Sequence, residues 1–83
     1  MPAAEIEEIV RLVSMQLGTR NVAPQHRLLE DLGAESADVA NLVARVEEKY
    51  QIALTEIEIA RIRTCEDLFE LVNTKVRDSP TRG

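Results

Sequence analysis

The stretch Asp31-Leu32-Gly33-Ala34-Glu35-Ser36-Ala37-Asp38 brings a loop to the start of a helix and leaves one serine hydroxyl at the junction. The first turn of a helix holds N–H groups with no intrahelical acceptor and a partial positive charge, so an attached anion is tolerated. Gly33 gives the approach backbone freedom and removes a side chain that would obstruct a modifying enzyme. The simpler role for Ser36 is that of an N-cap, since serine is favoured there. The reciprocal Glu or Gln that would complete such a cap is missing three residues on, where Val39 stands.

Few other residues offer chemistry. Cys65 is the only cysteine, so no disulfide forms within the chain. Thiol catalysis would need His26 beside it, and nothing in the spacing fixes that geometry. Cys65 is expected as a small buried residue near the start of the last helix, and His26 as an exposed loop residue. A zinc site would need His26 plus distant carboxylates. Asp31-x-Gly33-x-Glu35 has the look of a calcium loop, but Leu42 occupies the position that needs a bidentate Glu. Arg61 and Arg63 either pair with nearby acids or confer partner specificity.

The elements that must position the serine are helices. Ile6, Ile9, Val10, Val13 and Leu17 follow the i, i+3, i+4, i+7 template and predict a first helix over 3–17. Pro2 suits its start, Glu5, Glu7 and Glu8 suit the positive end of its dipole, and Gly18 reads as its stop. Residues 19–35 form a long loop, which in a compact domain is uncommon and often functional. Leu28, Leu29 and Leu32 are expected to pin it to the core. The second helix runs over 36–50 with Val39, Leu42, Val43, Val46 and Tyr50 as its buried stripe. Thr55-x-x-Glu58 is a capping box for a short third helix near Glu56, with apolar positions Ile57, Ile59 and Ile62. Thr64-x-x-Asp67 repeats the signature for a fourth helix near Glu66, striped by Leu68, Leu71, Val72 and Val76. No strand is predicted. The fold class is all-α, a small four-helix bundle of three longer helices and one short one. Residues 1–77 are read as one domain and 78–83 as a disordered tail.

Composition narrows the function. Eighty-three residues bury only about 60–65% of their unfolded surface, which allows one small core. No apolar run approaches the roughly 20 residues of a spanning helix. Glu5, Glu7 and Glu8 occupy the region where a signal peptide needs positive charge and then an apolar run, so a cytoplasmic location and no membrane insertion are expected. Ten basic against fifteen acidic residues give a net charge of −5. That balance argues against nucleic acid and favours basic protein partners.

The D-L-G-x-acid-Ser stretch, the helix order and the acidity together resemble the acyl carrier proteins. In that family a D-L-G-x-D-S-L stretch carries the serine modified with 4'-phosphopantetheine. The resemblance implies a non-enzymatic carrier with Ser36 as the attachment point. Its covalent phosphopantetheine arm, from coenzyme A, would hold acyl intermediates as thioesters and pass them between enzymes of fatty acid, lipid or polyketide type. It implies a phosphopantetheinyl transferase and acyl-transferring or synthase enzymes with basic patches as partners, with the chain itself a monomer. Glu35, Asp38, Glu47 and Glu48 would dock those partners, with Ala37 and Asn41 on the same surface. Val43, Val46, Leu54, Ile59 and Ile62 would line a gap that shelters the acyl chain. The rival reading is a helical protein-interaction module in which Ser36 is unmodified.

Several positions depart from the family. Glu35 stands for the usual Asp, Ala37 for Leu, Ala44 for a larger apolar residue and Asn41 for a frequent acid, while Arg45 adds a positive charge. Losing one buried Leu contact costs a complex on the order of 1.5–3 kcal/mol. These changes imply weaker recognition by general transferases and synthases, and so dedicated partners. Tyr50 replaces a frequent Phe, and its hydroxyl must reach water or a partner.

Overall fold

The computed structural model describes residues 4–78 and holds four helices: α1 (Ile6–Leu17), α2 (Ser36–Tyr50), α3 (Glu56–Ala60) and α4 (Cys65–Asp78). Among the described residues there is no strand, only an isolated antiparallel bridge between Arg27 and Thr64. Helix α1 packs on α4 and α2, and α2 also meets α4. Ile9 and Val13 from α1, Val46 from α2, and Cys65, Leu68 and Val72 from α4 are fully buried between them. The amphipathic stripes read from the sequence are the faces that meet.

The boundaries follow from caps. Helix α1 begins three residues later than its periodicity implies, because Glu5 is extended (φ −108°, ψ 149°) and serves as the N-cap. Glu7 and Glu8 therefore lie in the first turn and Glu5 does not; Pro2 lies outside the described residues. Gly18, at φ 68°, ends the helix in the left-handed conformation expected of it. Thr55 Oγ1 accepts from the Glu58 N–H at 3.2 Å and Glu58 Oε1 accepts from the Thr55 N–H at 2.9 Å, so the box that predicted α3 is formed. Thr64 and Asp67 make the equivalent pair at 3.1 Å each way and start α4 at Cys65, one residue before the expected start. Asp78 is the last residue of α4 rather than the first of a tail. The remainder of the predicted tail, 79–83, lies outside the described residues.

The long loop is tied down by backbone bonds as well as by side chains. The Leu28 N–H donates to the Arg63 carbonyl at 2.8 Å, and the Glu66 N–H donates to the Pro24 carbonyl at 3.0 Å. These bonds fasten the loop to the α3–α4 junction. Leu28 is buried and Leu32 packs against the core, as expected. Leu29 does not; it is 55% exposed, because it points away from the core while its neighbour Leu28 enters it. Ile57 likewise leaves the apolar stripe assigned to α3 and is 69% exposed. A five-residue helix turns only one narrow edge inward; half-buried Ile59 occupies it, and half-buried Ile62 follows just past the helix end.

Candidate functional site

The start of α2 differs from its sequence reading by one residue. The N-cap is Glu35, extended at φ −103° and ψ 168°, and Ser36 is the first helical residue. Asp38 Oδ2 accepts from the Glu35 N–H at 3.0 Å. The reciprocal acid sought three residues after Ser36 was thus present three residues after Glu35. The cap does not consume the serine. Ser36 is exposed, and its Oγ makes no hydrogen bond among the described residues. Gly33 sits at φ 72°, a left-handed turn that other residues adopt at a cost, and a Cβ there would meet open space. The glycine is needed for its backbone angle.

Ser36 lies at the rim of a cleft of about 460 Å³ between α2 and α3. Val39 and Val43 from α2 and Ile59 and Ile62 from α3 and its exit line it, and Leu28 and Leu29 from the loop contribute. Among the described residues, Glu47 is the only other polar one on its walls. Ser36 and Glu47 are eleven residues apart on α2, so the cleft runs along about three turns of the helix, roughly 16 Å. Val43, Ile59 and Ile62 are therefore where the sequence placed them. Val46 is not: it is fully buried against α1 and α4, on the stripe that faces the main core. Leu54 also lies off the cleft walls; its N–H is held by Glu47 Oε2 at 2.8 Å. The contribution of Leu28 and Leu29 was illegible, because a loop that folds back across a helix leaves no periodic signal.

The four acids assigned to docking divide into two pairs. Glu35 and Glu48 are exposed, as are Ala37 and Asn41. Asp38 and Glu47 are half-buried, and each carboxylate accepts a backbone N–H, from Glu35 and Leu54 respectively. Arg45 donates from Nε to Gln16 Oε1 at 2.9 Å, which turns it toward α1. Arg61 and Arg63 are exposed and form no ion pair among the described residues.

The remaining candidates are structural. Cys65 is fully buried, and burial pushes its thiol up to about 11, which suits an inert packing residue. His26 is half-buried rather than exposed, and its Nδ1 accepts from the Ala23 N–H at 3.0 Å, bracing the turn at Pro24. The Tyr50 hydroxyl donates to Glu8 Oε1 at 2.8 Å, the partner it required. Among the described residues no cluster of side chains suits a metal ion.

An accessible serine at a helix start, beside an apolar cleft, is an arrangement that a protein carrying a covalent arm would need. Residues 7–72 match the family model described as the phosphopantetheine attachment site. The chain is 34% identical over 70 residues to an acyl carrier protein of Syntrophobacter fumaroxidans, covering 82% of this chain and 86% of that one. It is 34% identical over 68 residues to an acyl carrier protein of Helicobacter hepaticus, covering 82% and 90%. The solution structure of oxytetracycline acyl carrier protein superposes with a TM-score of 0.78 at 21% identity, over 100% of this chain and 94% of that one, a likeness of fold. The acyl carrier protein of Thermotoga maritima matches with a TM-score of 0.72 at 27% identity, over 87% and 86%.

The chain belongs to the acyl carrier protein family. Its cofactor is covalently attached 4'-phosphopantetheine, its role is to carry acyl groups rather than to catalyse, and its partners are synthases and transferases. The start of α2 fits the group. It has an unengaged hydroxyl, and the Ser36 and Ala37 N–H groups lie ahead of the first intrahelical bond, which the Val39 N–H makes to the Glu35 carbonyl. No helix of the described residues is long and apolar enough to cross a membrane.

Proposed function

We propose that Ser36 Oγ is the attachment atom and that the α2–α3 cleft shelters the cargo. One observation carries this reading: the exposed, uncapped serine stands at the mouth of the cleft, whose walls are otherwise almost wholly apolar. The arm, when bound, supplies a terminal thiol that holds an acyl group as a thioester. The protein's own residues do the rest. The helix start, with its partial positive charge and its Ser36 and Ala37 N–H groups outside the helical ladder, would stabilise the phosphodiester charge. The backbone turn at Gly33 and the pinned loop hold the root in one place, so that a docked partner meets it at high effective concentration. Val39, Val43, Ile59 and Ile62 exclude water from an acyl stem.

Glu48 is the exposed acid free to steer partners with basic patches, and Glu35 is exposed as well, although its carboxylate also closes the α2 capping box. Exposed pairs contribute about 0–1 kcal/mol each, so they act on encounter rate and allow quick release. Asp38 and Glu47 shape the site from within. Ala37 and Asn41 give the docking face little apolar or acidic grip, which supports dedicated partners. In this reading the chain acts as a monomeric, cytoplasmic carrier domain over 1–77, with cargo of fatty acid, lipid or polyketide type.

The test is intact mass after incubation with coenzyme A and a phosphopantetheinyl transferase. The wild-type chain gains one phosphopantetheine and the Ser36→Ala variant gains none. A wild-type chain left unmodified by several unrelated transferases would leave the rival reading, an interaction module with a bare serine.

A further inference from the structure

The cleft beside Ser36 has a neighbour. Leu29, Ala60 and Ile62 also border a second depression of about 470 Å³, and the other residues around it are Arg27, Glu30 and Arg63. An apolar cleft and a charged depression thus share three bordering residues. The two guanidinium groups there are not equivalent. Arg27 is occupied: its Nη1 meets Glu30 Oε1 at 2.7 Å and its Nε meets Asp31 Oδ2 at 3.3 Å. Arg63 has no acid paired with it among the described residues. Its backbone is nevertheless fixed on both sides, because its N–H donates to Asp67 Oδ2 at 3.1 Å and its carbonyl accepts the Leu28 N–H at 2.8 Å. The result is a guanidinium without an ion-pair partner among the described residues, on a fixed stretch of backbone, across a shared border from the groove proposed for the acyl stem.

We infer that the cargo is an acyl chain ending in a carboxylate, its apolar stem along Val43, Ile59 and Ile62 and its far end against the Arg63 guanidinium. A guanidinium fork matches a carboxylate in shape and charge. A plain alkyl end would leave that guanidinium without a partner. The inference rests on the reading of Ser36 as the root of the arm.

The test uses a phosphopantetheinyl transferase to load the full chain with adipoyl- or hexanoyl-4'-phosphopantetheine from the corresponding coenzyme A thioesters, releasing adenosine 3',5'-bisphosphate, and compares wild type with Arg63→Gln. Mass spectrometry checks the loading. Two readouts follow: hydrolysis of the thioester, and the Nε–Hε resonance of Arg63. The adipoyl form is expected to shift that resonance and to hydrolyse about two- to five-fold more slowly in wild type than in Arg63→Gln, the range of a solvent-exposed ion pair. Salt near 1 M should erase the difference. Hexanoyl forms of the two proteins should hydrolyse alike. An unmoved resonance, or equal effects of the substitution on both cargoes, overturns the inference and leaves Arg63 to a protein partner's acid. Failure of wild type to gain any mass overturns both this inference and the assignment of Ser36.

Discussion

At the scale of single residues, the site depends on which side chain caps α2. A capping serine would turn its hydroxyl onto its own backbone; with Glu35 as the cap, Ser36 Oγ is left for other chemistry. The sequence contained both acids of the Glu35-x-x-Asp38 pair, but reading the box from Ser36 hid it. Gly33 is the residue whose type was legible for a sound reason, since its φ of 72° suits no side chain well. Gly33→Ala is expected to destabilise the fold by about 1 kcal/mol from the left-handed angle, seen as a lower urea midpoint. Tyr50 makes a pH prediction. Burial, followed by the hydrogen bond and charge of Glu8, raises its hydroxyl above the ordinary value of about 10. A raised acid contributes stability that is complete below the ordinary value and is lost as pH rises from there through the folded value. Urea midpoints should therefore fall above about pH 10 in wild type, and part of that fall should vanish in Tyr50→Phe.

At the scale of elements, caps were the most reliable signals. Thr55/Glu58 and Thr64/Asp67 both form as read, because a capping box is a local arrangement that needs no knowledge of packing. Which apolar residue faces which surface does depend on packing: Ile57 and Leu29 turned outward, and Val46, buried as its stripe implied, and Leu54 lie off the cleft assigned to them. Helix α3 is the element whose stability is most at risk, being five residues long. Thr55→Ala should cost it about 1 kcal/mol. Amide exchange at Ile59 and Arg61 should speed accordingly, while exchange in α4 stays nearly unchanged. The Thr55 N–H, followed by the Lys75 ammonium at 2.9 Å, holds the Glu58 carboxylate below its usual range. A lowered acid contributes stability that is present above the ordinary value near 4.5 and is lost as pH falls through the folded value. Acid should thus fray α3, and with it one wall of the cleft, earlier in amide exchange than it frays α1.

At the scale of the whole molecule, helix number and order were legible because each apolar stripe has the helical period. The cleft was legible only in part, since it needs the loop to fasten onto the α3–α4 junction and bring Leu28 and Leu29 to its lining. That arrangement separates residues that hold the fold from residues that serve the site. Leu68→Ala empties part of the main core and should cost about 2–5 kcal/mol, a large share of the total stability of so small a fold. Leu29→Ala and Ile57→Ala, on exposed side chains, should stay within about 0.5 kcal/mol in a urea titration. The central claim is the identity of one oxygen atom, and peptide mapping by tandem mass spectrometry tests it most directly. After treatment with transferase and coenzyme A, fragment ions should locate the added group on Ser36. The same group found on Ser14, on a threonine, or on Cys65 would contradict the account.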